Sequence, residues 1–186
     1  MMMTHCMGFL LLMSSASEAR TKAERLAERA AKVVANTLAE APVANEVCFS
    51  PTGPCEVKLV KFIRSAKKSV DVAVFDINLP SVLDALIETS ARIPVRVLVE
   101  RRNSKNDHSG VPRLVRGGVK IRFGKQKGIM HHKFVLVDGS RLETGSFNFT
   151  NGAANKNQEN QIYLEEASIV SSYAKHFQKM WSESLQ

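Results

Sequence analysis

Apolar and polar positions fall into two alternating rhythms along most of the chain. Residues 69–77 carry Val70-Asp71-Val72-Ala73-Val74-Phe75, the near-continuous apolar run of a buried strand, and Val95–Val99 and residues 119–123 repeat it. Between these runs the spacing is helical. Val57, Val60 and Ile63 mark a helix over 56–66, and Leu83, Leu86 and Ile87 mark the inward face of another over 79–91. A short helix over Val111–Arg116 stops at Gly117-Gly118. A last helix over 167–185 places Ile169, Tyr173, Phe177 and Trp181 on one stripe, with Trp181 a core or interface anchor. Strands alternating with helices predict an α/β fold: a mostly parallel or mixed sheet covered by helices on both faces.

The chain's start has a different texture. Residues 6–13 are apolar but far short of the roughly 20 needed to span a bilayer. The small residues of 14–19 then suggest that 1–19 is a leader, although no Lys or Arg precedes the apolar run. Residues 20–42 predict an amphipathic helix with Leu26, Ala30, Val33, Val34, Thr37, Leu38 and Ala41 on one face, stopped by Pro42. Residues 43–186 are left as the catalytic domain.

The chemistry concentrates in 130–149. The apolar run 134–137 ends at Asp138-Gly139, a turn signal, and 141–149 resumes as the return strand of a hairpin. Alternate residues of a strand share a face, so His131 and Lys133 project together while His132 and Phe134 point away. Ser146 and Asn148 share a face in the same way, with Phe147 and Phe149 anchoring from behind. An imidazole beside a fixed cation and small polar donors is what attack on a phosphodiester needs. His131 is the nucleophile, and Lys133, Ser146 and Asn148 offer positive charge and donors to the phosphoryl oxygens. The second ring nitrogen of an attacking histidine needs an acceptor; Glu159 is the candidate and Glu143 the runner-up. His131-His132-Lys133 makes a poor zinc site, because adjacent strand residues diverge and Lys133 repels a cation. His5 and His176 have no evident chemical role.

The order His131-x-Lys133, Asp138, Gly145-Ser146-x-Asn148 resembles the signature of the phospholipase D superfamily. More narrowly it is similar to the single-motif branch of small bacterial endonucleases and Zucchini-type mitochondrial proteins. Cys48-Phe49-Ser50-Pro51, 128–134, 145–150 and Asn157-Gln158-Glu159-Asn160 extend the likeness over roughly 47–186. The resemblance implies a homodimer with one shared active site. His131 of one chain would form a phosphohistidine, and His131 of the other would protonate the leaving oxygen. Asp138 would support the site structurally, and neither metal nor cofactor would be required. The sequence argues for a second subunit separately: one imidazole cannot be both nucleophile and general acid in one in-line step, and no second such motif exists. His132 and His108 are the internal alternatives.

Charge narrows the substrate. The chain holds 26 Lys and Arg against 18 Asp and Glu. Between Arg92 and Lys133 stand twelve basic residues and only Glu100 and Asp107 of opposite sign, so the remainder is slightly acidic. Such a cluster beside the motif predicts a polyphosphate-binding surface, with Arg101, Arg102, Lys105, Lys125 and Lys127 as contacts for DNA or RNA. Aromatic residues are only 6% of the chain, which argues against base-specific stacking, and a narrow site favours single strands. A lipid phosphodiesterase and a nucleic-acid-binding protein without turnover are the alternatives. Cys48 and Cys55 bracket a turn-rich stretch and are disulfide candidates, which would suit a periplasmic or secreted protein. A membrane-associated or mitochondrial setting is the alternative, with no stable membrane span.

Overall fold

The computed structural model describes residues 22–30, 45–124 and 128–185. Seven strands form one sheet in the order β1-β7-β6-β5-β2-β3-β4. They are β1 (Glu46–Ser50), β2 (Val70–Val74), β3 (Val95–Val99), β4 (Lys120–Phe123), β5 (Lys133–Val137), β6 (Arg141–Gly145) and β7 (Glu159–Leu164). The helices are α1 (22–30), α2 (Cys55–Arg64), α3 (Pro80–Ser90), α4 (Val111–Arg116), α5 (Asn151–Asn155) and α6 (Ala167–Glu183). The sheet is mixed. Only β2–β3 and β3–β4 pair in parallel, and the other four pairings are antiparallel. Of the two expected forms, mostly parallel or mixed, the sheet takes the mixed one. Parallel βα units build one half, and the antiparallel β5–β6–β7 meander joins it through β2.

Period-two alternation sorts the strands' side chains between two cores. Val70, Val72 and Val74 enter a large core with Leu59 and Ile63 of α2, Leu86 of α3 and Leu114 of α4. Ala73, Phe134, Leu136 and Leu142 point the other way, where α6 covers them with Val170, Phe177 and Met180. Helices therefore lie on both faces. Local chemistry fixes their ends: Pro80 opens α3, where its missing N–H costs nothing. Thr150 caps α5 by accepting from Ala153 N at 3.2 Å.

Three details differ from the sequence reading. The edge strand β1 is new; its Val47 and Phe49 face solvent (52% and 61% exposed), so its apolar residues carry no core pattern. The return strand ends at Gly145, not Phe149, because Ser146 N bonds to Asn160 O at 3.1 Å and Phe149 then pairs with Ile77. Helix α6 buries Phe177 with Tyr173 and Trp181 packed beside it, as expected, but Val170 and Met180 join them inside while Ile169 is exposed. Helix α1 belongs to a separate unit and its residues are all exposed, Leu26 and Ala30 included. The proposed leader and residues 31–44 lie outside the described residues. No described helix is long and apolar enough to cross a membrane.

Candidate active site

The strand register gathers the polar residues at one end of the sheet. Lys133 at the start of β5 lies opposite Val74 at the end of β2, and Val74 lies beside Val99 at the end of β3. Gly145 at the end of β6 pairs with Gln161 near the start of β7, where Glu159 meets Ser50. The carboxyl ends of the parallel strands therefore open here, the usual mouth of an α/β sheet. A side chain at Gly145 would put its Cβ 2.1 Å from Asn160 O, so only glycine lets β6 approach β7 and deliver Ser146.

An open cleft of about 560 Å³ is lined by His131, Lys133, Ser146, Asn148 and Glu159, together with His132, Phe134, Thr144, Gly145 and Tyr173. The spacing argument in the sequence grouped the first four and named Glu159 as their acid partner, and the structure places all five around one space. His131 is exposed. Lys133 is buried, with its Nζ 2.9 Å from His131 Nδ1 and donating to His131 O at 2.8 Å. Burial lowers the ammonium's affinity for its proton below the ordinary lysine value, and Glu159 partly offsets this. The ring of Phe75 supports both residues, 4.6 Å from the imidazole centroid and 5.4 Å from Nζ. Asn148 has a buried amide oxygen with no partner, which leaves that side chain free for a ligand.

The carboxylates behave differently from expectation. Glu159 accepts from Ser146 Oγ at 2.5 Å and from Asn157 Nδ2 at 2.9 Å, while His131 Nδ1 contacts Lys133 Nζ. Glu159 shares the cleft with the imidazole without holding it. The runner-up, Glu143, is fully buried and neither of its oxygens has a partner, so it does not serve His131. Asp138 is not in the cleft. It sits at the far end of β5, roughly 17 Å from Lys133 at 3.4 Å per residue. There it accepts from the backbone N–H groups of Lys67 (2.9 Å), Lys68 (2.6 Å) and Ser69 (3.2 Å). Burial raises its pKa, but those three donors and Arg141 outweigh it and hold the carboxyl below its usual value.

Sequence clustering overstated the basic surface. Arg92 donates to Ala66 O and Arg64 O, Arg96 grips Asp71 with two bonds at 2.7 Å, and Arg113 pairs with Asp84. Arg122 donates to Trp181 O. These cations are engaged in the fold. Arg101, Arg102 and Lys105 are exposed on the loop leaving β3, at the cleft's end of the sheet but not lining it, and His108 is exposed on that loop. Lys125 and Lys127 lie outside the described residues. Sequence reasoning missed Phe75, Thr144, Tyr173 and Glu100. Glu100 is buried and accepts from Met130 N at 2.6 Å, tying the loop after β3 to the segment entering the site. An acid directly after an apolar strand was its one signal. Cys48 and Cys55 form a disulfide with Cα atoms 5.5 Å apart. No described group of three or more His, Cys, Asp or Glu could hold a metal.

Fold and cleft together define an α/β domain with an imidazole and an ammonium group side by side at the mouth of its sheet. The chain belongs to the phospholipase D superfamily: the profile of the cardiolipin synthase, PLD-like domain matches residues 59–181. The chain is 34% identical over 127 residues to the mitochondrial cardiolipin hydrolase of Xenopus laevis, an alignment covering 68% of this chain and 60% of that protein. It is 32% identical over 131 residues to the phospholipase D of Rickettsia bellii (strain RML369-C), covering 70% and 65% respectively. It thus spans less than two thirds of these relatives' length. Among solved structures, Nuc, a phospholipase D family member from Salmonella typhimurium, superposes with a TM-score of 0.72 at 28% identity, over 76% of this chain and 95% of Nuc. NucT from Helicobacter pylori shares the fold, with a TM-score of 0.71 at 21% identity, over 76% of this chain and 97% of NucT.

Proposed function

We propose that the protein is an endonuclease that hydrolyses nucleic-acid phosphodiester bonds, favouring single strands, through a phosphohistidine and without a metal. The observation that carries this reading is the contact of Lys133 Nζ with His131 Nδ1 at the mouth of a cleft that also holds Ser146, Asn148 and Glu159. An ammonium can only donate, so Nδ1 accepts in the resting site and the ring proton sits on Nε2. An arriving phosphodiester draws Lys133 and Ser146 to its oxygens. That frees Nδ1 for the proton and releases Glu159 to accept from it, leaving Nε2 as nucleophile. The Nε2–P bond forms as the P–O bond to the leaving strand breaks, and the partner subunit's His131 supplies the proton. Water, deprotonated by that same imidazole, then cleaves the phosphohistidine.

Arg101, Arg102 and Lys105 would meet neighbouring phosphates, making binding salt-sensitive. Lys125 and Lys127 are proposed for the same role. The Cys48–Cys55 disulfide supports an oxidising, exported setting. A lipid substrate is the second reading. The names of the curated relatives favour it, as does Ile129, 49% exposed two residues before His131.

The test incubates the protein in EDTA with labelled single-stranded DNA, RNA, duplex and cardiolipin vesicles. Cleavage of single strands that falls by about 10⁴-fold or more in His131→Ala is expected. Turnover of vesicles alone would select the lipid reading. Co-refolding with increasing His131→Ala chain tests the shared site: activity should fall as the square of the wild-type fraction, and a linear fall would refute the dimeric mechanism.

A further inference from the structure

Beside the catalytic pair stands a second pair of imidazoles that the reaction does not use. His132 turns away from His131 towards α6, where its ring meets Phe134 edge-on at 5.8 Å and His176 at 5.0 Å. The two Nε2 atoms are 3.2 Å apart. His132 is anchored: its carbonyl accepts from Phe75 N at 2.9 Å, and its ring lines the cleft with Tyr173, one turn before His176 on α6. His176 is exposed and free to adjust by a small ring rotation.

We infer that His132 and His176 form a two-histidine clamp for a divalent transition metal of the zinc type, and that an ion held there restrains the phosphodiesterase. Two nitrogens bound to tetrahedral zinc at about 2.0–2.1 Å lie about 3.3 Å apart. The Nε2–Nε2 separation already matches that bite. When both rings are neutral, one Nε2–H donates to the other Nε2; as a cation binds, that proton passes through solvent to its own ring's Nδ1, and both Nε2 lone pairs face the metal without moving the backbone.

No third described His, Cys, Asp or Glu completes the site, so water or a substrate phosphate oxygen takes the remaining positions. The ion also faces positive charge on Lys133. Both features make this a weak, reversible site rather than a structural one. Its position gives it an effect, because the cation shares a cleft with His131 and Lys133. It competes for the phosphoryl oxygens and holds them off the line of attack. Zinc, nickel and copper fit the imidazole donors, whereas magnesium prefers oxygen ligands.

Calorimetry of the metal-stripped full chain with zinc chloride alone reads the clamp directly. Saturable binding that weakens about tenfold or more in His176→Ala is expected; equal affinity in the two proteins overturns the clamp. The inhibitory effect rests on the proposed activity and is read separately on a labelled single strand. His176→Ala should keep the metal-free rate and need about tenfold more zinc for half inhibition, with EDTA reversing the block and magnesium without effect. Zinc inhibition unchanged in His176→Ala overturns the restraint. Absence of cleavage in every condition would sink the nuclease reading, while calorimetry would still decide the clamp.

Discussion

The two ends of β5 carry the two halves of one sequence motif, and they are built on opposite principles. At its start, Lys133 is buried with its charge disfavoured, its partner His131 is exposed, and Asn148 nearby has an unpartnered oxygen. At its end, Asp138 is clasped by three backbone N–H groups and Arg141, in the left-handed conformation (φ 57°) that the turn requires. The first end keeps hydrogen-bonding capacity in reserve for a ligand. The second spends all of it on the fold. Five residues of separation in sequence therefore divide function from architecture.

The largest effect that sharpens this contrast falls at Lys133. Lys133→Met keeps the buried stem and removes the charge, so cleavage should slow by about 10²–10³-fold, the usual loss of a donor to a developing oxyanion. Stability should stay the same or rise slightly, because folding already disfavours the ammonium here. Thermal melting beside a strand-cleavage assay reads both. A melting point that falls by several degrees with little loss of rate would reverse the assignment of the two ends.

Asp138 should give the mirror image. Asp138→Asn suits the left-handed backbone while removing the charge, and the lost charge-assisted bonds should cost about 2–3 kcal/mol, or roughly 5–10 °C in Tm. The rate per folded molecule should stay within about twofold. The pH dependence carries a definite sign. A carboxyl with a depressed folded pKa lends stability that is complete above its unfolded value of about 3.9 and drains away as pH falls through the folded value. The acid arm of the variant's stability curve should be the shallower one. Equal acid arms would show that Asp138 is not the anchor.

The same contrast explains what the chain disclosed. Helices and inner strands were legible because their apolar residues face a core at fixed periods, as Val70, Val72 and Val74 do. Four of the five cleft residues were legible as a group because strand spacing puts His131 with Lys133 and Ser146 with Asn148, and Glu159 was the acid opening the next apolar run. β1 was not, since Val47 and Phe49 show apolar chemistry to solvent. Partnerships across the sheet were equally silent. Nothing local says that Arg96 will grip Asp71, that β5 pairs antiparallel with β2, or that His132 meets His176 44 residues on. Linear clustering of charge told little about which cations remain available.

The smallest effect tests a third kind of polar residue, one that serves neither end. Glu143 lies mid-sheet between Val135 and Tyr163, fully buried, with both oxygens unpartnered. Burial pushes its pKa well above the usual glutamate value. Tyr163, whose hydroxyl donates to Gln161 at 2.9 Å, is raised likewise by burial and then by Glu143 and Glu46. Folding thus binds a proton that the unfolded chain has released above about pH 4.3. Stability must decline with rising pH between the unfolded and folded pKa values of Glu143, the reverse of the Asp138 case. Glu143→Gln keeps the shape and removes the titration. Its stability should equal the native protein's near pH 4 and exceed it by a margin that grows as pH rises, read from urea midpoints across that range. An advantage independent of pH would mean that Glu143 is already ionised in the fold, and the protonated reading would fail.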